Sequence, residues 1–269
     1  MAFFSEEEQH ILRNVLPNVA AALRAPLNNL HMAAQRATAQ NGDSDEQAIL
    51  QQSYYRMLRL VDNLTTAPEL LADTAFDTQN LELVVWLDEL CRQADSIARE
   101  AGVEVRFVCR ERYVIAAVNR TYLERMVWNL LSNALKFTPK GGTVTVTLED
   151  KGSQLTLRVR DTGCGIPPEI AGTIFDRWQQ AERMELPVHG MGLGLLICRR
   201  VAEGHGGRLL LESREGEGTL VTVSLPHTRR NDGQVRESRT DYAGGFSHVM
   251  MELSDALPYQ AFYEKHLDQ

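Results

Sequence analysis

The stretch NLLSNALKFTPKGG, residues 129–142, places two asparagines four positions apart within a helical pattern that we predict to run over about 120–137. That spacing puts Asn129 and Asn133 on one face of the helix. A buried amide needs a partner, and its carbonyl oxygen suits a hard cation such as Mg²⁺, which also takes phosphate oxygens. Lys136, near the helix end, offers a point charge to a phosphate. Taken alone, the pair would be interpreted as two amides on a helix surface.

Two further glycine-bearing motifs follow along the chain. In DTGCGI (161–166), Asp161 comes at the end of an alternating strand, and Gly163 and Gly165 permit a tight reversal. In GMGLGL (190–195), a loop becomes a helix. Backbone N–H groups at such a junction form an anion site, and glycines leave room for a phosphate. The glycines at this junction are Gly190, Gly192 and Gly194.

Short β-branched or alternating runs surround these motifs and predict strands. They are VEVRFV, YVIAAV, TVTVTLED, QLTLRVRD, RLLLES and LVTVSL. GEGTLVTVSLP (216–226) sets Thr219 at the start of the closing strand. We predict helices over 81–102, with Gly102 as its C-terminal stop, and over about 193–204. Together these elements predict one α/β sandwich domain over residues 80–226.

The N-terminal part, residues 1–75, predicts a helical hairpin. Its first apolar stripe consists of Leu12, Val15, Leu16, Val19, Leu23, Leu27 and Leu30. NGDSDEQ (41–47) supplies a turn, with Asp43 or Ser44 as the N-cap of the second helix. That helix carries a second stripe on one side: Ile49, Leu50, Met57, Leu58, Val61 and Leu64. Such a hairpin has too little core to stand alone, so we expect it to dimerise into a four-helix bundle.

Composition excludes several classes of protein. The net charge of −8 argues against binding to nucleic acid or anionic lipid, and no apolar run is long enough for membrane insertion. The start, MAFFSEEEQH, lacks the pattern of a signal peptide, and we expect no sensor domain ahead of the first helix. Four scattered cysteines without a C-x-x-C pair are typical of a reducing compartment, so we expect a cytoplasmic protein.

The remaining residues, 227–269, predict a polar linker followed by a helical, aromatic-bearing tail. We favour a helix that packs on the rest of the protein over a segment that binds a partner.

The order and spacing of the glycine and asparagine motifs resemble the ATP-binding domain shared by histidine kinases, gyrase-type topoisomerases, mismatch-repair ATPases and heat-shock chaperones. NLLSNALKFTPKGG, DTGCGI, IFDRW and GMGLGL match the version found in histidine kinases of two-component signalling systems. The resemblance covers about residues 80–226. It implies an α+β protein in which the helical hairpin precedes an α/β sandwich of Bergerat type that binds ATP and Mg²⁺.

The resemblance also implies roles for particular residues. Asn133 would coordinate Mg²⁺, with Asn129 and Lys136 near the phosphates. The three glycines of the GMGLGL motif would line the phosphates at the hinge of a lid over about 177–189. Gyrase-like members hydrolyse ATP with a Glu one turn before the metal-binding Asn. Asn129 stands in that place here, which favours a kinase-type domain over an ATPase.

The adenine end of the site follows from the same resemblance. Asp161 would accept a hydrogen bond from the adenine amino group. Gly163 and Gly165 would shape the pocket, and Thr219 would lie behind the base.

Histidine kinases carry, in the first helix of their hairpin, the pattern His-Glu-x-Arg-Thr/Asn-Pro-Leu. LRAPL (23–27) matches its scaffold and explains a proline that is otherwise costly inside a helix. The departures fall on the reactive positions. Ala21 replaces the phosphoacceptor His, Ala22 replaces the adjacent acid, and Ala25 replaces the residue that positions water for dephosphorylation. An alanine methyl cannot be a nucleophile for phosphoryl transfer.

We therefore expect a dimeric histidine-kinase-like protein that binds Mg·ATP and acts as a nucleotide-dependent regulator or scaffold, with a response regulator or a partner kinase as possible partner. Two alternatives stay open. One is an active histidine kinase that phosphorylates His10, whose context HILRN echoes the pattern, or the His of a partner chain. The other is a non-enzymatic interaction module with a vestigial ATP site. His31 lies about 280° around the helix from position 21 and faces elsewhere.

Overall fold

A computed structural model describes residues 44–71, 76–167, 193–231 and 247–263, together with Leu23 and Leu27, which are both helical. The rest of the predicted first helix and the predicted lid over 177–189 lie outside the described residues. Five helices are described: α1 (Asp45–Leu71), α2 (Leu83–Ala98), α3 (Arg120–Phe137), α4 (Leu193–Gly204) and α5 (His248–Leu253). Seven strands are described: β1 (Gln79–Glu82), β2 (Glu104–Cys109), β3 (Ile115–Val118), β4 (Thr143–Asp150), β5 (Gln154–Asp161), β6 (Arg208–Arg214) and β7 (Gly218–Pro226).

A five-stranded sheet in the order β2-β4-β5-β7-β6 forms the centre of the α/β part. The β2 and β4 strands are parallel, and the other neighbours are antiparallel. Burial alternates along β4, where Val144, Val146 and Leu148 are buried, so one face of the sheet is covered. Helices α2, α3 and α4 pack against the sheet. The predicted α+β fold, with a Bergerat-type sandwich, is confirmed.

The predicted helix over 81–102 is wrong at its N-terminal end. Residues 79–82 form β1, which pairs with β3 so that Leu81 lies opposite Ala116. The Glu82 carboxylate then accepts hydrogen bonds from the backbone N–H groups of Val84 and Val85, which caps α2 at Leu83. A 3₁₀ turn, Arg99–Ala101, follows α2, and Gly102 ends it in the left-handed region with φ 72°. The predicted stop at Gly102 is confirmed.

Helix α1 begins where the sequence indicates, because the Ser44 side chain accepts a hydrogen bond from the Gln47 backbone N–H at 3.2 Å. The predicted apolar stripe of α1 is only partly buried, contrary to the prediction that its members share one side of the helix. Val61 and Leu64 are buried, whereas three other members of the stripe are exposed: Ile49, Leu50 and Met57. The buried face of α1 instead includes Tyr54 and Tyr55, because α4 and the C-terminal residues cover that face.

Residues 247–263, here named the C-terminal segment, pack against α1. The segment contains α5 and a 3₁₀ turn, Tyr259–Phe262, and it buries Leu253 and Phe262 completely. The Gln52 side chain of α1 donates to two carbonyl oxygens of the segment, at 3.3 Å and 2.6 Å. Residues 247–263 therefore pack on α1, in line with the packing helix favoured from the sequence for the helical part of the tail.

Within the described ranges, no helix has both the length and the apolar character needed to cross a bilayer.

Candidate functional site

Asp161 occupies the end of β5, as predicted, and it is buried. One carboxylate oxygen, Oδ1, accepts hydrogen bonds from the backbone N–H of Gly163 at 2.9 Å and of Thr219 at 3.1 Å. Burial raises the pKa of this carboxyl above its ordinary 3.8, and the two backbone donors offset part of that effect. The two bonds to Oδ1 fix the carboxylate and leave Oδ2 as an acceptor for a ligand donor.

Two glycines next to Asp161 are required by the closeness of neighbouring backbone. Gly165 has φ 68°, and a Cβ there would lie 1.9 Å from the Arg214 carbonyl oxygen. A Cβ on Gly163 would lie 2.5 Å from the Phe137 carbonyl oxygen, at the end of α3. The backbone N–H of Cys164 also donates to the Phe137 carbonyl, at 3.2 Å. The loop after β5 is therefore held against the end of the helix that carries the asparagines.

Ser213, which sequence reasoning missed, joins three parts of this end of the site. Its hydroxyl accepts from the Ile166 backbone N–H at 2.9 Å and donates to the Gly218 carbonyl at 2.9 Å. It also lies 2.9 Å from the Thr219 hydroxyl. Thr219 is the second residue of β7, as predicted, and its backbone N–H holds Asp161. Ser213 lies inside a strand with no motif around it, so no sequence signal distinguishes it from other strand serines.

Asn129 is almost fully buried, with 2% of its surface exposed. Its Nδ2 donates to the Arg125 carbonyl at 2.9 Å, and its Oδ1 accepts from the Arg59 guanidinium of α1 at 3.3 Å. Gly194, the second residue of α4, approaches so closely that a Cβ there would lie 2.9 Å from Asn129 Oδ1. Asn129 is thus a junction between α3, α4 and α1.

Asn133 and Lys136 lie one and two turns further along α3. Asn133 is half-buried, and Lys136 places its Nζ 5.8 Å from the centre of the Phe137 ring. Desolvation lowers the pKa of Lys136, and Arg59 and Arg56 lower it further, whereas the Asp255 carboxylate raises it. This end of the site therefore combines amide oxygens with cations.

A group of charged side chains centred on Arg59 of α1 lies beside Asn129, and sequence reasoning missed all of it. Arg59 also donates to the Ser132 hydroxyl at 2.7 Å, and it pairs with Asp255 at 3.2 Å and Glu252 at 3.7 Å. On the same helices, Arg125 pairs with Asp62 at 2.5 Å. The carboxylates Glu252 and Asp255 belong to the C-terminal segment. The residues are far apart in sequence, so only the fold brings them together.

A nucleotide and its metal ion would each need suitable partners among the residues of this site. The buried Asp161 carboxylate and the Cβ-free glycines beside it suit a flat base that bears an amino group. Across the described ranges, no three His, Cys, Asp or Glu side chains group as metal ligands. An amide oxygen such as that of Asn133 suits Mg²⁺ that takes its other ligands from phosphate and water. The residues present fit both groups.

Several predicted residues lie outside the described part of the chain. They are the candidate acceptor His10, the alanine at the acceptor position, Ala21, and the glycines Gly190 and Gly192. The structure brings together Asp161, Gly163, Gly165 and Thr219 at one end of the site. It brings Asn129 and Gly194 together at the other end, on the helix that also carries Asn133 and Lys136.

Comparison with protein families gives a match over residues 118–229 to a model described as "Histidine kinase-, DNA gyrase B-, and HSP90-like ATPase". Histidine protein kinase DivJ of Caulobacter vibrioides is 44% identical over 126 residues, which are 47% of this chain and 21% of DivJ. Sensor histidine kinase WalK of Bacillus subtilis is 27% identical over 229 residues, covering 82% of this chain and 37% of WalK. Adaptive-response sensory kinase SasA of Parasynechococcus marenigrum is 30% identical over 224 residues, covering 81% of this chain and 57% of SasA. The chain thus spans less than two thirds of the length of each of these relatives.

Two solved structures share the fold. The catalytic domain of histidine kinase ThkA, in a nucleotide-free form, has a TM-score of 0.50 and 25% identity, and the match covers 57% of this chain and 97% of that domain. Full-length ShkA in complex with AMPPNP has a TM-score of 0.65 at 22% identity, and the match covers 81% of this chain and 46% of ShkA. The ShkA match supports the fold alone.

Proposed function

This chain belongs to the histidine kinase family, and from that premise we propose that it binds Mg·ATP and acts as a nucleotide-dependent regulator or scaffold without the usual phosphoacceptor. The observation that carries the nucleotide part is the Asp161 carboxylate. It is buried and fixed through Oδ1 by two backbone donors, at 2.9 Å and 3.1 Å. An acceptor held this way recognises an amino group on a flat base, because a misplaced donor would leave it unpaired.

The polar end of the site supports phosphate binding. Asn129, Asn133 and Lys136 present amides and a cation along α3, and Mg²⁺, when bound, would neutralise phosphate charge there. Asn133 is the residue that we assign to the metal, and Lys136 is assigned to the phosphates. Asn129 cannot activate water as a carboxylate can, so we propose that the domain does not hydrolyse ATP by the gyrase route.

The absence of an acceptor at Ala21 supports the regulatory part of the proposal. Nucleotide would then act by changing the contacts between the ATP-binding domain and the helical hairpin. A ligand shifts the equilibrium between two arrangements of domain and hairpin only if its affinity for the two arrangements differs. Arg59 and Asn129 form a contact between hairpin and domain inside the candidate site, so the bound phosphates and α1 meet the same residue.

We also propose that the hairpin forms a homodimer and that a response regulator or a partner kinase is the protein it acts on. Exposed apolar side chains on α1, among them Ile49 and Leu50, support the dimer. One structure with the same fold is a histidine kinase, ThkA, in complex with a response regulator protein.

Asp161→Asn tests the nucleotide part. The Asn amide keeps one oxygen for the two backbone donors but turns an N–H group toward the adenine amine. We expect the affinity for Mg·AMP-PNP in calorimetry to fall about tenfold or more. Asp77→Asn is the matched control, because its side chain is 99% exposed. Equal affinity of wild type and Asp161→Asn would remove Asp161 from the site.

Labelling with γ-labelled Mg·ATP tests the second part of the proposal. We expect no label on the chain in a sample in which nucleotide binding is confirmed. An acid-labile, alkali-stable label would instead indicate phosphohistidine. Loss of that label in His10→Ala would establish the active kinase suggested by the HILRN context. Transfer to a kinase that has lost its own ATP domain would indicate a partner's His as acceptor.

A further inference from the structure

Two carboxylates of the C-terminal segment pair with Arg59, whose guanidinium also donates a hydrogen bond to Asn129. Glu252 Oε2 lies 3.7 Å from Arg59 Nε, and Asp255 Oδ2 lies 3.2 Å from Arg59 Nη1. The side chains of Arg59 and Glu252 are 7% and 4% exposed. A buried ion pair of this kind fails if one partner is removed, because the other charge is left uncompensated. Glu252 and Asp255 therefore maintain the position of Arg59.

Arg59 in turn occupies hydrogen-bonding groups of the candidate site. It donates to Asn129 Oδ1 at 3.3 Å and to the Ser132 hydroxyl at 2.7 Å, both on α3. With Arg59 in place, Asn129 has its Oδ1 bound to α1 and its Nδ2 bound to the Arg125 carbonyl. One of the two N–H groups of Nδ2 is thus engaged, and Oδ1 is bound by a cation of the chain and is not available to a metal ion or a ligand donor.

Glu252 and Asp255 also lie close to cations that would attract the phosphates of a nucleotide. Asp255 interacts favourably with Lys136, in addition to its ion pair with Arg59. Phosphate groups of a nucleotide would be attracted to the same two cations. An anion of the chain and an anion of the ligand cannot both be the close partners of these cations without repelling each other.

The position of these carboxylates is set by specific contacts and is not a chance surface encounter. Arg56 Nε donates to the Ser254 carbonyl at 3.1 Å, and Gln52 Nε2 donates to the Leu257 carbonyl at 2.6 Å. Leu253, between Glu252 and Asp255, is fully buried. The contacts from α1 and from the core together hold residues 252–255 over the polar end of the site.

From this arrangement we propose that the C-terminal segment is an internal inhibitor of nucleotide binding, in which Glu252 and Asp255 take the place of nucleotide phosphates as partners of Arg59 and Lys136. Mg·ATP binds the state in which residues 252–255 have withdrawn and Arg59 has left Asn129. The closed state reduces the apparent affinity by the fraction of molecules that are open. The inference rests on the proposed nucleotide site and adds its regulation by a segment of the same chain.

The test compares the full chain with the double variant Glu252→Gln/Asp255→Asn, which keeps side-chain shape and removes both charges. Without them, Arg59 is no longer neutralised in its buried position, so the closed state is destabilised. We expect Mg·AMP-PNP to bind at least about fivefold more tightly in calorimetry. The control is Asp88→Asn/Glu89→Gln, which removes the same charge from two carboxylates that pair with Arg92 on the exposed side of α2. The control should bind as wild type does.

Circular dichroism and thermal unfolding establish that the double variant is folded. If it is not, Asp255→Asn alone serves, since the Asp255 side chain is 31% exposed and tolerates the change better. Hydrogen exchange on the unaltered chain gives an independent readout. Adding saturating Mg·AMP-PNP should reduce the protection of amides within residues 248–257.

The outcomes separate this inference from the proposed function. Equal or weaker binding by the double variant, with wild type binding well, overturns the inhibitor and leaves the nucleotide site standing. Unchanged protection of 248–257 in nucleotide-saturated protein overturns it as well. If wild type and variant both fail to bind, the nucleotide site itself is wrong. Binding by the variant where wild type shows none supports both.

Discussion

At the scale of single residues, the two oxygens of the Asp161 carboxylate have different roles. Oδ1 holds the backbone of Gly163 and Thr219, and Oδ2 is available for a ligand. The pKa of Asp161 is raised by burial, so the folded protein disfavours the charged form. In the absence of nucleotide, this carboxylate therefore costs stability as the pH rises through its raised pKa. An Asn at this position keeps an oxygen for the two backbone donors and has no charge to bury, so the change is expected to affect affinity without unfolding the protein.

Gly165→Ala is expected to be far more damaging than Gly152→Ala. Both glycines have positive φ, 68° and 82°, so both substitutions carry the backbone cost of about 1 kcal/mol for a side chain in that region. Only at Gly165 would the new Cβ meet backbone, 1.9 Å from the Arg214 carbonyl oxygen, whereas the space around Gly152 is open.

Urea unfolding should accordingly show a loss of about 1 kcal/mol for Gly152→Ala and about 3 kcal/mol or more for Gly165→Ala. Similar losses for the two variants would mean that the loop after β5 yields without cost, and the close approach at Gly165 would then have no bearing on the site.

Residues with a local signal were predictable at this scale, and residues without one were not. Asp161, Gly165 and Thr219 stand at strand ends and turns, where the local pattern marks them. Ser213 and Arg59 have their roles only through partners that the fold supplies, as Arg59 does across 70 positions to Asn129. No spacing in the sequence carries that information.

At the scale of elements, the start of α2 shows what periodicity leaves undetermined. Leu81 and Leu83 belong to one apolar run, LELVVWL (81–87), so the predicted helix extends backwards through residues that form β1. In the structure, the pairing of β1 with β3 keeps residues 79–82 extended. Glu82 caps the helix that follows and also accepts a hydrogen bond from the Val114 N–H at 3.0 Å. A cap with a glutamate is a weak signal beside Ser, Thr, Asp or Asn.

Glu82→Ala should therefore destabilise the protein by about 2 kcal/mol, because it removes a helix cap and leaves the Val114 N–H without its acceptor. Glu104→Ala is the control, since the half-exposed Glu104 pairs with Arg106 on β2 and its loss should change the unfolding free energy much less than the loss of Glu82. Chemical denaturation measures both. A Glu82→Ala protein as stable as the control would show that β1 alone fixes the start of α2.

His205 connects the end of α4 to the start of α3 as a neutral side chain. Its Nε2 accepts from the Asn119 backbone N–H at 2.9 Å, so Nδ1 carries the proton and donates to the Val201 carbonyl at 2.7 Å. Burial lowers the pKa of His205 below its usual 6.5. The unfolded chain therefore takes up a proton at a higher pH than the folded one does. The contribution of His205 to stability is fully present above pH 6.5 and is lost as the pH falls from that value through the lower pKa of the folded state.

His205→Gln should cost about 1–2 kcal/mol in unfolding free energy at pH 7.5 and less at pH 5.5. The measurement is urea unfolding of both proteins at the two pH values. A difference between wild type and variant that does not shrink at the lower pH would contradict the neutral, buried assignment.

At the scale of the whole molecule, the fold class and, apart from β1, the order of elements in the α/β part followed from the sequence, because the other strands and helices have their own period and end signals. The arrangement of α1 did not follow. Its stripe predicts one buried face, yet the C-terminal segment and α4 bury a different one and leave Ile49, Leu50 and Met57 exposed. The helical period of apolar residues shows which side chains share a face. It does not show which part of the protein covers that face.

Those exposed side chains lead to a prediction about assembly. If they lie in the proposed dimer interface, Leu50→Glu should shift the protein from dimer toward monomer in sedimentation velocity, because a charge would be buried without a partner. Val85→Glu is the control, since Val85 is an exposed apolar residue on α2. A Leu50→Glu protein that sediments like wild type would place the interface elsewhere.

The bond from Gln52 to the Leu257 carbonyl spans 205 positions of sequence, and this separation has a consequence for the newly made chain. A ribosome adds about 5–20 residues each second, so α1 spends some ten seconds or more without the segment that covers it. During that interval Arg59 has neither Glu252 nor Asp255 beside it. The α/β sandwich can form before the segment emerges, and α1 docks with its partner carboxylates only afterwards. The contact between α1 and the C-terminal segment is thus the last of these contacts to form during synthesis.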